Sequence, residues 1–251
     1  MYGGSEEATN EQFIDAIHNG DLNEVKDLLT KGADPDAKDC KGHAPLLLAA
    51  YHGNEEVTGA LLAAGADPNI TCPFGGTALM WAAGAGHKAV VETLLKVPNI
   101  NVNAVTSFNG TALMAAARGG DNEVVELLLA AGADIHVRGE RDWTALIYAA
   151  SHEHKEVVDI LLAAGADIYA QDIDGYTALA WAARWAVKRG NVEILQVMQR
   201  HLDALCPVIP EGKGLTKIPA SFRNFEDMLK ELVLEKDKLA PLPGENMVPC
   251  D

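Results

Sequence analysis

The sequence predicts an all-α solenoid of stacked two-helix units joined by β-hairpin-like fingers, and two recurring strings carry that reading. LLAAGAD stands at residues 61–67, 128–134 and 161–167, with LLTKGAD at 28–34 and a degenerate LLKVPNINVN at 94–103. GTALMWAA begins at Gly76, and its relatives begin at Gly110, Trp143 and Tyr176. The threonines of the second string, Thr77, Thr111, Thr144 and Thr177, advance by 34, 33 and 33 residues, and Ala44 begins the series 33 residues earlier. A fixed period of this length means copies of one supersecondary unit, none of which can bury both of its apolar faces alone.

Each element of the unit follows from its residues. The threonine hydroxyl caps the first helix. The alanine pairs Ala82–Ala83, Ala116–Ala117 and Ala149–Ala150 let neighbouring helices approach closely. The second helix, about 123–130 in one unit, carries Val124, Val125, Leu127 and Leu128 as an apolar stripe. Gly65, Gly132 and Gly165 stand where a helix C-terminus needs a left-handed residue.

These strings resemble the ankyrin repeat, G-x-T-P-L-H-x-A-A-x-x-G-H followed by a V-V-x-L-L helix and G-A-D. The resemblance spans about residues 10–203 and implies six units, 9–38, 39–71, 72–105, 106–138, 139–171 and 172–205, after an N-terminal extension at 1–9. The first unit keeps only the helix pair and GAD, as expected of a terminal cap, with Thr9 and Gln12 as its expected capping box. The family's histidine after T-P-L is replaced by Leu47, Met80, Met114, Ile147 and Ala180, so stacking should rely more on apolar packing. The last unit carries four extra residues between Ala183 and Gly190, which either lengthen a helix or bulge a loop. Beyond it, residues 206–251 read as a proline- and glycine-punctuated linker, a short C-terminal amphipathic helix at about 221–238, and a mobile tail. The helix is expected to cover the open end of the stack, with occupation of the protein's own groove as the rival reading.

Composition narrows the function. The chain has 251 residues and a formal net charge of −16, of which residues 1–205 carry 28 acidic and 14 basic side chains. That field disfavours nucleic acid and anionic membrane surfaces and favours a basic partner. No run of about 18 apolar residues suggests a membrane span, and Met1–Asn10 lacks the basic and apolar segments of a signal peptide. Four scattered cysteines, Cys40, Cys72, Cys206 and Cys250, fit a reducing compartment, cytoplasmic or nuclear. A capped stack needs no second copy, so a monomer is expected.

Catalytic patterns are absent from the sequence: no Walker loop, GxGxxG after a strand, GxSxG elbow or HExxH occurs. His152 and His154 in SHEHKE lack the further ligands a zinc site needs and read as solvated turn residues. No enzyme activity, cofactor or metal is expected. Trp81 and Trp181 lie inside first helices and read as core residues. The resemblance instead points to the positions that such stacks leave free to vary, the finger tips and the turn between helices. Here these are Tyr51, His52, Phe74, Phe108, Arg118, Arg141, Trp143, His152, Tyr176, Arg184 and Trp185, a set rich in the residue types that dominate interfaces. Its aromatics gather toward the C-terminal units. The function implied is a non-enzymatic protein–protein interaction scaffold that holds a partner protein or peptide across the concave groove and finger tips. The alternatives are a ubiquitin-ligase adaptor, suggested by Leu202 with Cys206 and by APLP at 240–243, or an inhibitor that occludes an enzyme's surface. Asn69 resembles a loop asparagine that is hydroxylated in some members of the family.

Overall fold

The computed structural model describes residues 4–189 and 193–205; the predicted C-terminal helix, the APLP string and Cys206 lie outside this range. The described residues form twelve α-helices in six antiparallel pairs: α1 (Gly4–Asn19) with α2 (Leu22–Thr30), α3 (Pro45–Tyr51) with α4 (Glu55–Ala63), α5 (Ala78–Gly84) with α6 (Lys88–Leu95), α7 (Ala112–Gly119) with α8 (Asn122–Ala130), α9 (Ala145–Ser151) with α10 (Lys155–Ala163), and α11 (Ala178–Arg189) with α12 (Glu193–Leu205). The first helices of the pairs stack on one another as an inner layer, and the second helices stack as an outer layer.

Threonine capping occurs as the sequence implies. The hydroxyls of Thr77, Thr111, Thr144 and Thr177 accept from the amides of Met80, Met114, Ile147 and Ala180 at 3.2–3.3 Å. Ala44 cannot cap α3, and Pro45 in the first turn compensates by presetting the helical φ. The alanine pairs lie at 0–3% exposure. At α5–α7 a Cβ added to Gly119 would stand 2.9 Å from the Gly84 carbonyl, so backbone packs on backbone there. Leu47, Met80, Met114 and Ile147 are buried where the family places histidine, so these positions stack by apolar contact.

Polar groups form two ladders from unit to unit. In the loops after the outer helices, the Asp36 carboxylate accepts from the Asp67 amide. Asn69 donates to the Asn99 carbonyl (2.9 Å) and accepts from the Asn101 amide (2.8 Å). Asn103 repeats the pattern with the Gly132 carbonyl and the Asp134 amide. The period then brings His136 and Tyr169 to this position, and neither continues the series. The second ladder runs through the turns between paired helices. Asp21, Asn54 and Asp121 cap their outer helices directly. His87 and His154 hold the same position but reach back a whole unit, to the carbonyls of Tyr51 (2.9 Å) and Arg118 (2.8 Å). His154 therefore ties two units together, where a solvated turn residue was expected.

One further expectation changes, and two others become specific. The helix α1 begins at Gly4, so Thr9 lies inside it and cannot form a capping box, while Gln12 donates to Glu24 across the helix pair (2.7 Å). The insertion in the last unit lengthens α11 to 12 residues, against 7 or 8 in α3, α5, α7 and α9. Among the described residues the fingers hold no strand, only the isolated bridges Thr71–Thr77 and Gln171–Thr177. Their tight turns are fixed by side-chain caps and left too little extended backbone for a ladder.

Gly120 shows what the turn ladder requires. Its φ is +81°, and a Cβ would stand 2.3 Å from Nδ1 of His154. Gly132 has a similar φ of +87° with open space around it. Gly132→Ala should therefore cost only the backbone term, about 1 kcal/mol. Gly120→Ala should also displace His154 and cost about 2–4 kcal/mol in all. At about 2–4 °C per kcal/mol for a domain of this size, paired thermal melts should show Gly120→Ala lowering Tm clearly further than Gly132→Ala.

Candidate functional site

Four of the five fingers are tight turns built on one side chain at the base. Asp39 accepts from the Lys41 and His43 amides, Thr106 from those of Phe108 and Gly110, and Asp172 from those of Asp174 and Tyr176. Cys72 Sγ accepts from the Gly76 amide in the same way. These caps fix the direction in which each tip points. The fifth finger has Gly139 at its base and no such cap; its residues Glu140–Asp142 wind into a short 3-10 turn in which Arg141 and Asp142 are both left-handed. A side chain at position 139 has no room, since a Cβ would meet Met114 Sδ at 2.9 Å.

The tips of the third and fourth fingers present Phe74 and Phe108, 51% and 49% exposed. The Phe74 carbonyl accepts from both the amide (2.9 Å) and the hydroxyl (3.1 Å) of Ser107, which locks the two fingers side by side. Val105 adds apolar surface on the fourth finger at 48% exposure. At the far end of the inner helices Tyr51 is 44% exposed, edge-on to His52 and to the buried Trp81. His52 is exposed, and its Nε2 lies 3.0 Å from Nδ1 of His18.

The C-terminal aromatics are arranged differently. Trp143 is 7% exposed, wedged against Tyr148 and Trp181 with ring centroids 4.9 and 5.0 Å away. The sequence placed it on the finger surface; the structure puts it in the wall beneath, its indole Nε1 buried and without a hydrogen-bond partner among the described residues. Tyr176 is half-buried on Trp181 (5.8 Å), whose Nε1 donates to the buried Asp172 at 3.0 Å. Arg184 covers the Trp181 ring at 5.4 Å. Trp185 is half-buried on the lengthened α11. Arg141 is ion-paired with Asp174 of the next finger, and its carbonyl accepts from the Ile173 amide. Arg118, half-buried, closes α7 beside Tyr148 and His152. None of Trp143, Tyr176 and Trp185 is therefore exposed as Phe74 and Phe108 are, because packing takes up their rings. Burial of Trp81 and Trp181 at 6% and 5% agrees with their core assignment.

Some members of this surface were not legible in the sequence. The finger-base caps need contacts within a turn whose residue types differ from unit to unit. Val105, Tyr169 and Ile173 are also strongly exposed. No three His, Cys, Asp or Glu side chains among the described residues come together to hold a metal ion, and no described helix is long and apolar enough to cross a membrane. Cys40 and Cys72 are free thiols.

This architecture defines a helical-repeat solenoid whose fingers and inner helices form one extended face. A family model described as ankyrin repeats (3 copies) matches residues 13–106, 51–139 and 113–204. The chain belongs to the ankyrin-repeat family, whose repeats are in general protein–protein interaction modules and typically non-enzymatic. No curated protein matches the chain.

Two histidines on this face titrate below the usual histidine range. His52 is exposed, yet partial desolvation of its ring depresses it, helped by the charges of His18 and His87. Burial also depresses His152, with Arg118 and His154 acting in the same direction against a hydrogen bond to the Tyr148 carbonyl. The unfolded chain therefore binds protons first as acid is added, so the contribution of these groups to stability is complete above about pH 6.5 and is lost as pH falls toward and through their folded values. Melting temperatures should be flat from about pH 7 to 8 and decline below about 6.5, and His52→Gln with His152→Gln should flatten the decline between about pH 6.5 and 5.

Proposed function

We propose that this chain is a non-enzymatic recognition scaffold that holds one partner protein or peptide across its fingers and inner helices. The observation that carries the reading is a set of large aromatic side chains left about half exposed, two of them on rigidly capped finger turns and one at the end of an inner helix. Phe74 and Phe108 at the tips and Tyr51 at the inner rim form one part of the contact surface. His52, Arg118, Arg141, His152, Tyr176, Arg184 and Trp185 extend it along the stack, and Trp143 shapes the wall from below. Recognition of this kind needs only shape, anchors and charge, with the backbone held ready before the partner arrives. Neither Cys40 nor Cys72 is in a disulfide, which suits a reducing compartment, cytoplasmic or nuclear. The scaffold acts as a monomer, each inner unit being covered by its own neighbours.

The test is affinity capture from a lysate of the source organism with three baits: the full chain, a Tyr51→Ala/Phe74→Ser/Phe108→Ser variant, and a Tyr176→Ala/Arg184→Ala/Trp185→Ala variant. Exposed substitutions of this kind should change stability little, so Tm of the first variant should stay within about 2 °C of the parent. At least one stoichiometric partner should be retained by the parent and lost, by about tenfold or more, from one folded variant. Equal retention by all three baits would remove the site assignment, and no retained protein at all would remove the scaffold reading.

A further inference from the structure

The net charge of −16 is not spread evenly over the molecule. The segments that form the fingers and inner helices of the second to sixth units, residues 37–53, 70–86, 104–120, 137–153 and 170–189, contain eight basic and six acidic side chains, whereas α1 of the first unit carries four acidic and no basic ones. The rest of residues 1–205 contains six basic and twenty-two acidic ones. The acidic field therefore belongs to α1, the outer helices and the loops that follow them, with Glu56, Glu123, Glu126 and Glu156 among its exposed members. The third unit has no charged residue between Ile70 and Gly86, and the fourth has only Arg118 between Ala104 and Gly120.

On this uncharged stretch stand Phe74 and Phe108, tied to each other through Ser107, with Val105 beside them. The next tip toward the N-terminus is Lys41, exposed. On the other side Arg141 is already neutralised by Asp174. Read along the stack, the tips present a cation, two aromatic rings and a neutralised pair. Packed helices stand about 8–10 Å apart, which an extended peptide crosses in roughly three residues.

We infer that the ridge of Phe74, Phe108 and Val105 is a docking site for an extended peptide segment of neutral or net acidic character, with two apolar side chains three residues apart and an acidic side chain about three further on, facing Lys41. This rests on the recognition reading above and specifies its partner. A basic partner, which the overall charge favours, would meet the outer helices instead and would find no anion on the third and fourth fingers to hold it. Two apolar anchors set on neutral ground choose their partner by hydrophobic burial, with weak dependence on salt.

The test is selection of a phage-displayed random dodecapeptide library on the full chain, followed by fluorescence-polarisation titration of the enriched peptides. Enriched sequences should carry net charge zero or below and an apolar pair at three-residue spacing. Their affinity should fall at least tenfold on Phe74→Ser and on Phe108→Ser, variants whose melting temperatures stay near the parent's. Lys41→Glu should weaken the acidic peptides several-fold and leave neutral ones unchanged. Enriched peptides that are net basic, affinity that survives both phenylalanine substitutions, or no enrichment above background would each overturn the inference. Peptides lost only on Tyr176→Ala/Arg184→Ala would move the docking site to the last units while leaving the scaffold reading intact; loss of that reading would appear separately, as no partner captured by the full chain.

Discussion

The stack is held at a spacing set by the alanine pair at the fifth and sixth positions of each inner helix from α3 to α11. With Ala49–Ala50, Ala82–Ala83, Ala116–Ala117, Ala149–Ala150 and Ala182–Ala183 nearly or wholly buried, each inner helix presents almost bare backbone to its neighbours. A larger side chain at any of these positions would push two units apart, with loss of dispersion contacts along the whole interface. Everything else in the unit accommodates that spacing. The leucines and valines of the outer helices fill the wedge behind, and the apolar residues that replace the family's histidine fill the space in front. Where Gly84 and Gly119 extend the small-residue surface, α5 and α7 approach to backbone contact.

Close spacing brings the polar edges of adjacent units within reach of each other, and the two ladders exploit it. Asn69 and Asn103 each bind backbone in the following unit, whereas His87 and His154 reach back to the preceding one. Backbone groups at helix ends, which would otherwise depend on water, are thereby satisfied by the neighbouring repeat. The same register aligns the fingers, and their base caps hold each tip in a defined direction. The fifth finger departs from this scheme because Gly139 removes the cap, and its two left-handed residues are the backbone's response. Its aromatic residue turns inward, where it joins Tyr148 and Trp181 in a cluster that stiffens the last units.

Function follows from where charge and apolar surface are left once the stack has formed. The repeat places its glutamates on the solvent side of the outer helices, and this side keeps the chain soluble and repels other acidic surfaces. The fingers and inner helices are left near neutral, with aromatic rings held about half exposed. A net charge summed over the whole chain describes the first surface and is a poor guide to the second.

The sequence by itself determined the period, the helix pairs, the threonine caps and the left-handed glycines, because each depends on residues a few positions apart. It also identified Phe74, Phe108 and Tyr51 as surface residues, since nothing in the repeat needs a ring there. The tertiary structure decided which of the remaining aromatics face solvent. Phe74 and Phe108 stand three residues before the capping threonines, at the finger tips, whereas Trp143 and Tyr176 stand directly before theirs, and their burial depends on Trp181 and Tyr148. The cross-unit role of His154 was equally invisible, since it rests on a contact between residues 36 apart. Local rules set the unit, and the exposure of a side chain is settled only when its neighbours are in place.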